Sequence, residues 1–195
     1  MAKAKIGRPR CGKSQEAILA ATHDLLQEKG GAGLTIEAIA KRAEVGKPTI
    51  YRWWPSLADI VLEVLLSQAD TEIAAPLDAP LQETLRQFLR RSMQVITDGA
   101  GVHLRFLMAH AQQNETFRER FRENFNAVRR NALRSVFQQA REKGEICAEQ
   151  NLDLLVDLIF GAMWYRLLIG HATLDQAFAD ELTESAMRLV QAGPA

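Results

Sequence analysis

Apolar residues return along this chain at intervals of three and four, and strict alternation of apolar and polar positions never persists. The spacing predicts helices throughout. Ser14 stands where it can cap a first helix whose inner side carries Ile18, Thr22, Leu25 and Leu26, closed by Lys29 and Gly30. Thr35 caps a short second helix marked by Ile36, Ile39, Ala40 and Ala43, with Glu37 in its first turn near the positive end of the dipole. The small inward residues let another helix cross closely. Gly46 opens a third, very short helix with Pro48 in its first turn, where a missing N–H costs little. Ser56 caps a fourth with Asp59 three residues on, and this helix is expected to run to about Ala74, before Pro76 and Pro80.

The same spacing continues. Leu81, Leu85, Phe88, Leu89, Met93 and Ile96 mark a fifth helix that ends near Asp98-Gly99, and a short sixth covers about Val102 to Ala111. A long seventh, roughly Glu115 to Lys143, carries the stripe Phe117, Phe121, Phe125, Val128, Ala132 and Val136. Asn151 caps an eighth from Leu152 to Gly170, and Thr173 with Gln176 forms a capping box near a ninth. The expected fold class is all-α, with about nine helices. Residues 1–13 read as a flexible arm, 14–60 as a three-helix helix-turn-helix domain, and 61–195 as a larger helical domain.

The eighth helix is apolar on nearly every side, interrupted by Asp153, Asp157 and Arg166, which argues against a membrane span. A helix apolar all round must be covered all round. In a chain of this length a partner subunit is the natural cover, and the ninth helix can join it in a two-fold four-helix interface. The residues expected there are Leu155, Ile159, Met163, Leu167, Leu182 and Leu189.

The third helix carries the most specific chemistry. Stepping about 100° per residue from Lys47 turns Ile50 and Trp54 together toward a core. Pro48, Thr49 and Arg52 then point away, flanked by Lys47, Tyr51 and Trp53. Arginine and lysine pair with guanine edges, proline and threonine touch thymine methyls, and a tyrosine hydroxyl meets a phosphate. The charge distribution agrees. The whole chain is neutral, with 24 basic and 24 acidic residues. Residues 1–57 hold ten basic and five acidic side chains, a net of +5, so the remainder holds 14 and 19, a net of −5. The first 13 residues contain five bases and no acid, so Arg8 and Arg10 read as contacts of a basic arm with the minor groove or phosphates.

Gly7 to Ser14, GRPRCGKS, also spells the P-loop pattern, but a P-loop needs a buried strand before it, and only six residues precede Gly7. A nucleotide hydrolase is therefore a remote alternative, and the chain is not expected to be an enzyme. The four histidines do not fall at ligand spacing, and no metal or cofactor is expected. Cys11 and Cys147 suit a reduced cytosol better than a disulfide framework, and with no signal segment opening the chain the expected location is cytoplasmic.

Residues 14 to 60 resemble the DNA-binding domain of the tetracycline-repressor (TetR) family of bacterial regulators, through ILAATHDLLQEKG and then LTIEAIAKRAEVGKPTIYRWWPS. Beyond residue 60 the resemblance is to the helix plan alone. It implies a homodimer whose recognition helices enter successive major grooves of a palindromic operator. Lys47, Pro48 and Arg52 would then meet bases, and Thr35, Thr49 and Tyr51 phosphates. The chain departs from the family at Gly46, where serine is frequent, and at Leu57, where lysine is frequent. It also implies a small-molecule effector whose binding tilts the fourth helix and releases DNA. Expected pocket residues are Phe88, Met93, His103, Phe106, His110, Phe121, Phe125, Trp164 and Tyr165, with Met108 and Arg105 as further candidates. They suit an apolar or aromatic effector. A dimeric regulator with no effector is the alternative.

Overall fold

A computed structural model describes residues 10–29, 33–68 and 79–192. The described residues are helical, with no strand, and form two compact units, Met1–Gln68 and Ala69–Ala195.

In the first unit α1 (Arg10–Lys29) packs on α4 (Leu57–Gln68) and on α2 (Ile36–Arg42), which in turn meets α3 (Lys47–Tyr51). Ser14, expected to cap α1, lies inside it, because the helix already runs from Arg10. In sequence Pro9 stands just ahead of that start, where proline is tolerated, and no breaker follows it. The expected arm of residues 1–13 is thus helical from Arg10; Arg8 lies outside the described residues, and so does the Arg10 side chain. Ile18, Leu26, Ile39, Ile50, Ile60 and Leu65 interlock as the core of the unit. Buried Thr22 satisfies its hydroxyl by donating to the Ile18 carbonyl at 2.7 Å. Two polar contacts hold the helices in register: the Arg42 guanidinium donates to both oxygens of Glu28 at 2.9 Å, and Ser56 accepts from the Asp59 amide at 3.3 Å to cap α4. The unit extends through α4, past the boundary expected at residue 60, because Ala58, Ile60, Val61, Val64 and Leu65 are buried in it. The expected continuation of α4 to Ala74 lies outside the described residues.

In the second unit α5 (Leu81–Val95) packs between α10 (Gln176–Ala192) and α8 (Ala127–Glu142), and α9 (Leu152–Ile169) lies against α8, α6 (Gly101–Gln113) and α10. The expected break at Asp98-Gly99 is present as a kink between two helices, Ile96–Ala100, in which Gly99 has φ 135, a backbone conformation L side chains rarely adopt. Gly101 completes the requirement, since a Cβ there would stand 2.9 Å from the Ile96 carbonyl oxygen. The expected seventh helix is α7 (Glu115–Phe121), a π-helical turn Arg122–Asn126, and α8 in one continuous run. Asn114 caps α7 through Phe117 N–H at 2.9 Å, and Asn151 caps α9 through Leu154 N–H at 3.1 Å.

Candidate nucleic-acid interface and effector site

α3 is one and a half turns long and stands on two anchors. Ile50 is fully buried and Trp54, just past its end, is 3% exposed, in line with the helical step. Trp54 donates its indole N–H to Glu63 Oε2 at 2.5 Å, and Gln15 of α1 donates to the other oxygen of the same carboxylate at 2.8 Å. Glu63 therefore ties α1, α4 and the end of α3 together. Sequence reasoning missed it, because a carboxylate on the fourth helix gives no periodic signal of its partners.

Opposite those anchors, Lys47, Pro48, Tyr51, Arg52 and Trp53 are exposed, with Thr49 half-buried. Tyr51 is 55% and Trp53 40% exposed, a large aromatic area to leave in water without a partner. The Arg52 guanidinium lies 5.5 Å from the Trp53 ring centroid, and this stacking holds the side chain along the helix. Thr35 is exposed and accepts from the Ala38 amide at 3.1 Å, so it caps α2 and keeps its own O–H to donate outward. The exposed face thus gathers the expected contact residues from α2 and α3.

Two features of this face were not legible beforehand. Glu37 accepts an ion pair from Lys47, and their mutual hydrogen bond holds the carboxyl below its ordinary pKa and the ammonium above its own. Gly46 is extended, at φ −76, as the cap expected to open α3, and the left-handed position of the turn is taken by Glu44 at φ 53.

In the second unit the expected effector residues divide. Phe88, Met93, His103, Phe121 and Phe125 are buried, and Phe106, Met108, His110 and Trp164 are half-buried. Tyr165 is 61% exposed, so it is corrected from pocket wall to surface, and Arg105 is exposed as well. Both stand on the solvent side of their helices. His103 turns Nδ1 to the Gly99 carbonyl at 3.1 Å and so braces the kink at Gly99.

The expected dimer residues also need correction. Leu155, Ile159, Met163 and Leu167 are at most 6% exposed, buried within the single chain. The face of α9 left open carries Leu154, Leu158, Tyr165, Leu168 and Ile169, between 42% and 63% exposed. A helix apolar all round has no preferred face, so its sequence does not show which side the chain itself covers. On α10 Leu182 is half-buried, while Leu189 is 46% exposed.

Cys11 to Ser14 of the P-loop spelling lie within α1, not in a loop that could cradle phosphate; Gly7 to Pro9 lie outside the described residues. Cys147 is an exposed thiol that donates to Glu149 at 2.6 Å. No helix of the described residues is long and apolar enough to cross a membrane.

Comparisons with known proteins match both units. Residues 18–64 match the family model described as bacterial regulatory proteins, tetR family, and residues 75–186 match a tetracyclin repressor-like C-terminal domain. The uncharacterized HTH-type transcriptional regulator YdeS of Bacillus subtilis is 31% identical over 190 residues, covering 97% of this chain and 96% of that protein. A crystal structure of a TetR family transcription regulator superposes with a TM-score of 0.72 at 30% identity, covering 90% of this chain and 97% of that one. The regulator FadR from Bacillus subtilis, crystallised with stearoyl-CoA, shares the fold with a TM-score of 0.69 at 19% identity, covering 92% and 99%.

Proposed function

The chain belongs to the TetR family of DNA-binding transcriptional regulators, and from that premise we propose that it is a homodimeric repressor of a palindromic operator, released by a small apolar or aromatic effector. The observation that carries the DNA half is the exposed face of α3, where Lys47, Pro48, Tyr51, Arg52 and Trp53 stand on buried Ile50 and Trp54. On DNA, Lys47 and Arg52 take base edges, Pro48 packs on thymine methyls, and Thr35, Thr49 and Tyr51 take phosphates. Arg8 and Arg10 of the basic N-terminus add attraction that does not depend on sequence.

One copy of so short a helix reads too few bases to specify a site. Two copies in adjacent major grooves, about 34 Å apart, double the reading and require a palindrome. The open apolar face of α9, with Leu189 of α10, supports a two-fold interface of four helices. FadR, in its complex with stearoyl-CoA, holds a ligand with a long apolar chain on the same fold. Here the phenylalanine-rich interior of the second unit supports an effector of similar character. To move the dimer from mostly bound to mostly free, the effector must prefer the released conformation by about 5.5 kcal/mol in all.

The test is binding of the full chain to DNA from upstream of its own gene, followed by fluorescence anisotropy across a salt series. Wild type is expected to bind one segment containing an inverted repeat, and Tyr51→Phe combined with Arg52→Ala to lose at least about tenfold in affinity there. Unchanged affinity in the double variant sinks the assignment of α3.

A further inference from the structure

Within the second unit a continuous column of rings ends on a charge that no carboxylate among the described residues pairs with. His110 of α6 meets Phe117 edge-on at 4.9 Å between centroids, Phe117 stacks on Phe121 at 6.2 Å, and Phe121 on Phe125 at 5.4 Å. The guanidinium of Arg129 then covers the Phe125 ring at 5.1 Å. The three phenylalanines are at most 5% exposed. Each end of the column is polar and lacks a polar partner. His110 Nε2 is buried with no hydrogen bond. Arg129 is half-buried, and among the described residues no carboxylate pairs with it.

Its neighbours make the contrast. On the same helix Arg130 pairs with Asp157 and Asp153, and Arg134 pairs with Asp153. The acids that pair with Arg130 and Arg134 stand on α9, and Arg129 faces elsewhere. Partial burial is the one cause of its lowered pKa, and no charged group contributes to the shift. A half-buried guanidinium on a ring column, with no carboxylate beside it among the described residues, is a place where a ligand's charge can be met. The π-helical turn Arg122–Asn126 falls inside the column, and turns of that kind recur at functional sites.

We propose that the effector is an amphipathic carboxylate, its acid paired with Arg129 and its apolar body lying along the Phe125, Phe121 and Phe117 rings. This rests on the effector-released reading above and names the ligand class. The planar fork of arginine takes both carboxylate oxygens at once, and the ring beneath it fixes the plane of that fork. An uncharged apolar molecule fills the same space and leaves the cation unpaired, so the site selects acids.

The experiment uses the full chain and two acids of different shape, decanoate and naphthoate, each beside its primary amide. Isothermal titration is expected to show at least one acid binding about tenfold or more tightly than its amide. Arg129→Gln is expected to abolish that preference, and Arg129→Lys to retain part of it, both with operator affinity unchanged in the absence of ligand. Equal binding of acid and amide, a preference that survives in Arg129→Gln, or no binding of either acid overturns the proposal. So does a loss of dimerisation in Arg129→Gln with no acid bound, since the missing anion would then belong to the second copy. An acid that binds through Arg129 without displacing operator DNA upholds the site and overturns the repressor-release reading. Release of DNA by neutral compounds alone does the reverse.

Discussion

The carboxylate of Glu37, in the first turn of α2, accepts an ion pair from the ammonium of Lys47, the first residue of α3. The pair spans the two helices on the surface proposed to meet DNA, and both side chains are at least half exposed, at 64% and 50%. An acid on that surface repels phosphate, and here it also occupies the lysine expected to read a base.

Removing the acid should therefore strengthen binding and loosen selectivity. Glu37→Gln is expected to raise affinity for non-operator DNA about threefold at low salt and to steepen the salt dependence by about one unit of slope. The pH dependence follows from the two shifts. Glu37 is held below its ordinary pKa, so the pair's contribution is present above that ordinary value and is lost as pH falls through the lowered one. Lys47 is held above its own, so the contribution is present below the ordinary lysine value and is lost as pH rises through the raised one. Glu37 and Lys47 thus add no pH dependence between about pH 5 and pH 10. Anisotropy titrations at several pH values check this: a change of affinity inside the window that Glu37→Gln removes would contradict it.

Glu44 holds φ 53 in the turn between α2 and α3, a conformation that costs a residue with a Cβ about 1 kcal/mol. Glu44→Gly is expected to stabilise the protein by up to about 1 kcal/mol, the gain reduced by the extra entropy glycine carries in the unfolded chain. Glu44→Val, β-branched, should destabilise it. Urea unfolding of the first-unit transition reads both. A stabilised valine variant would show that the turn relaxes out of the left-handed region.

Trp54 and Glu63 hold the end of α3 in place, because the indole N–H and the Gln15 amide share one part-buried carboxylate. Trp54→Phe keeps most of the packing and strands one carboxylate oxygen, for an expected loss of about 1–2 kcal/mol. Glu63→Leu removes the acceptor for both donors at once and should cost more. Operator affinity is expected to fall with stability in both variants, since this contact fixes where α3 sits on the helices beneath it. Retained affinity in a measurably destabilised Trp54→Phe would show that DNA itself re-forms the helix.

Much of this was legible in one dimension. The helical step alone puts Ile50 and Trp54 inside, and Tyr51, Arg52 and Trp53 outside, because two large residues four apart turn to one side along a short helix and the turn that follows it. Asn151 and Ser56 cap where their spacing puts them. The failures share a cause: each depends on a second element. Glu63, Glu37 and Arg129 take their meaning from groups on other helices or further along, or from the absence of such groups. The left-handed Glu44 gives no signal of its own either, since a residue with a Cβ rarely adopts that region.

The open face of α9 carries the sharpest separation of fold from assembly, because Leu158 and Ile159 are adjacent in sequence and opposite in environment. Leu158 is 47% exposed and Ile159 is 1% exposed. If α9 pairs with its copy, Leu158→Glu places a charge on each side of the two-fold interface and forfeits about 1.5–3 kcal/mol of apolar burial per copy. The dimer dissociation constant is then expected to rise about a hundredfold or more while each chain stays folded. Ile159→Ala should behave in the opposite way, costing about 2–5 kcal/mol of stability through the cavity it leaves and altering association little. Sedimentation equilibrium and urea unfolding on the two variants separate the effects. Operator binding by Leu158→Glu should weaken together with the dimer, at protein concentrations below the new dissociation constant. A Leu158→Glu protein that remains dimeric would mean that the copies meet through another surface.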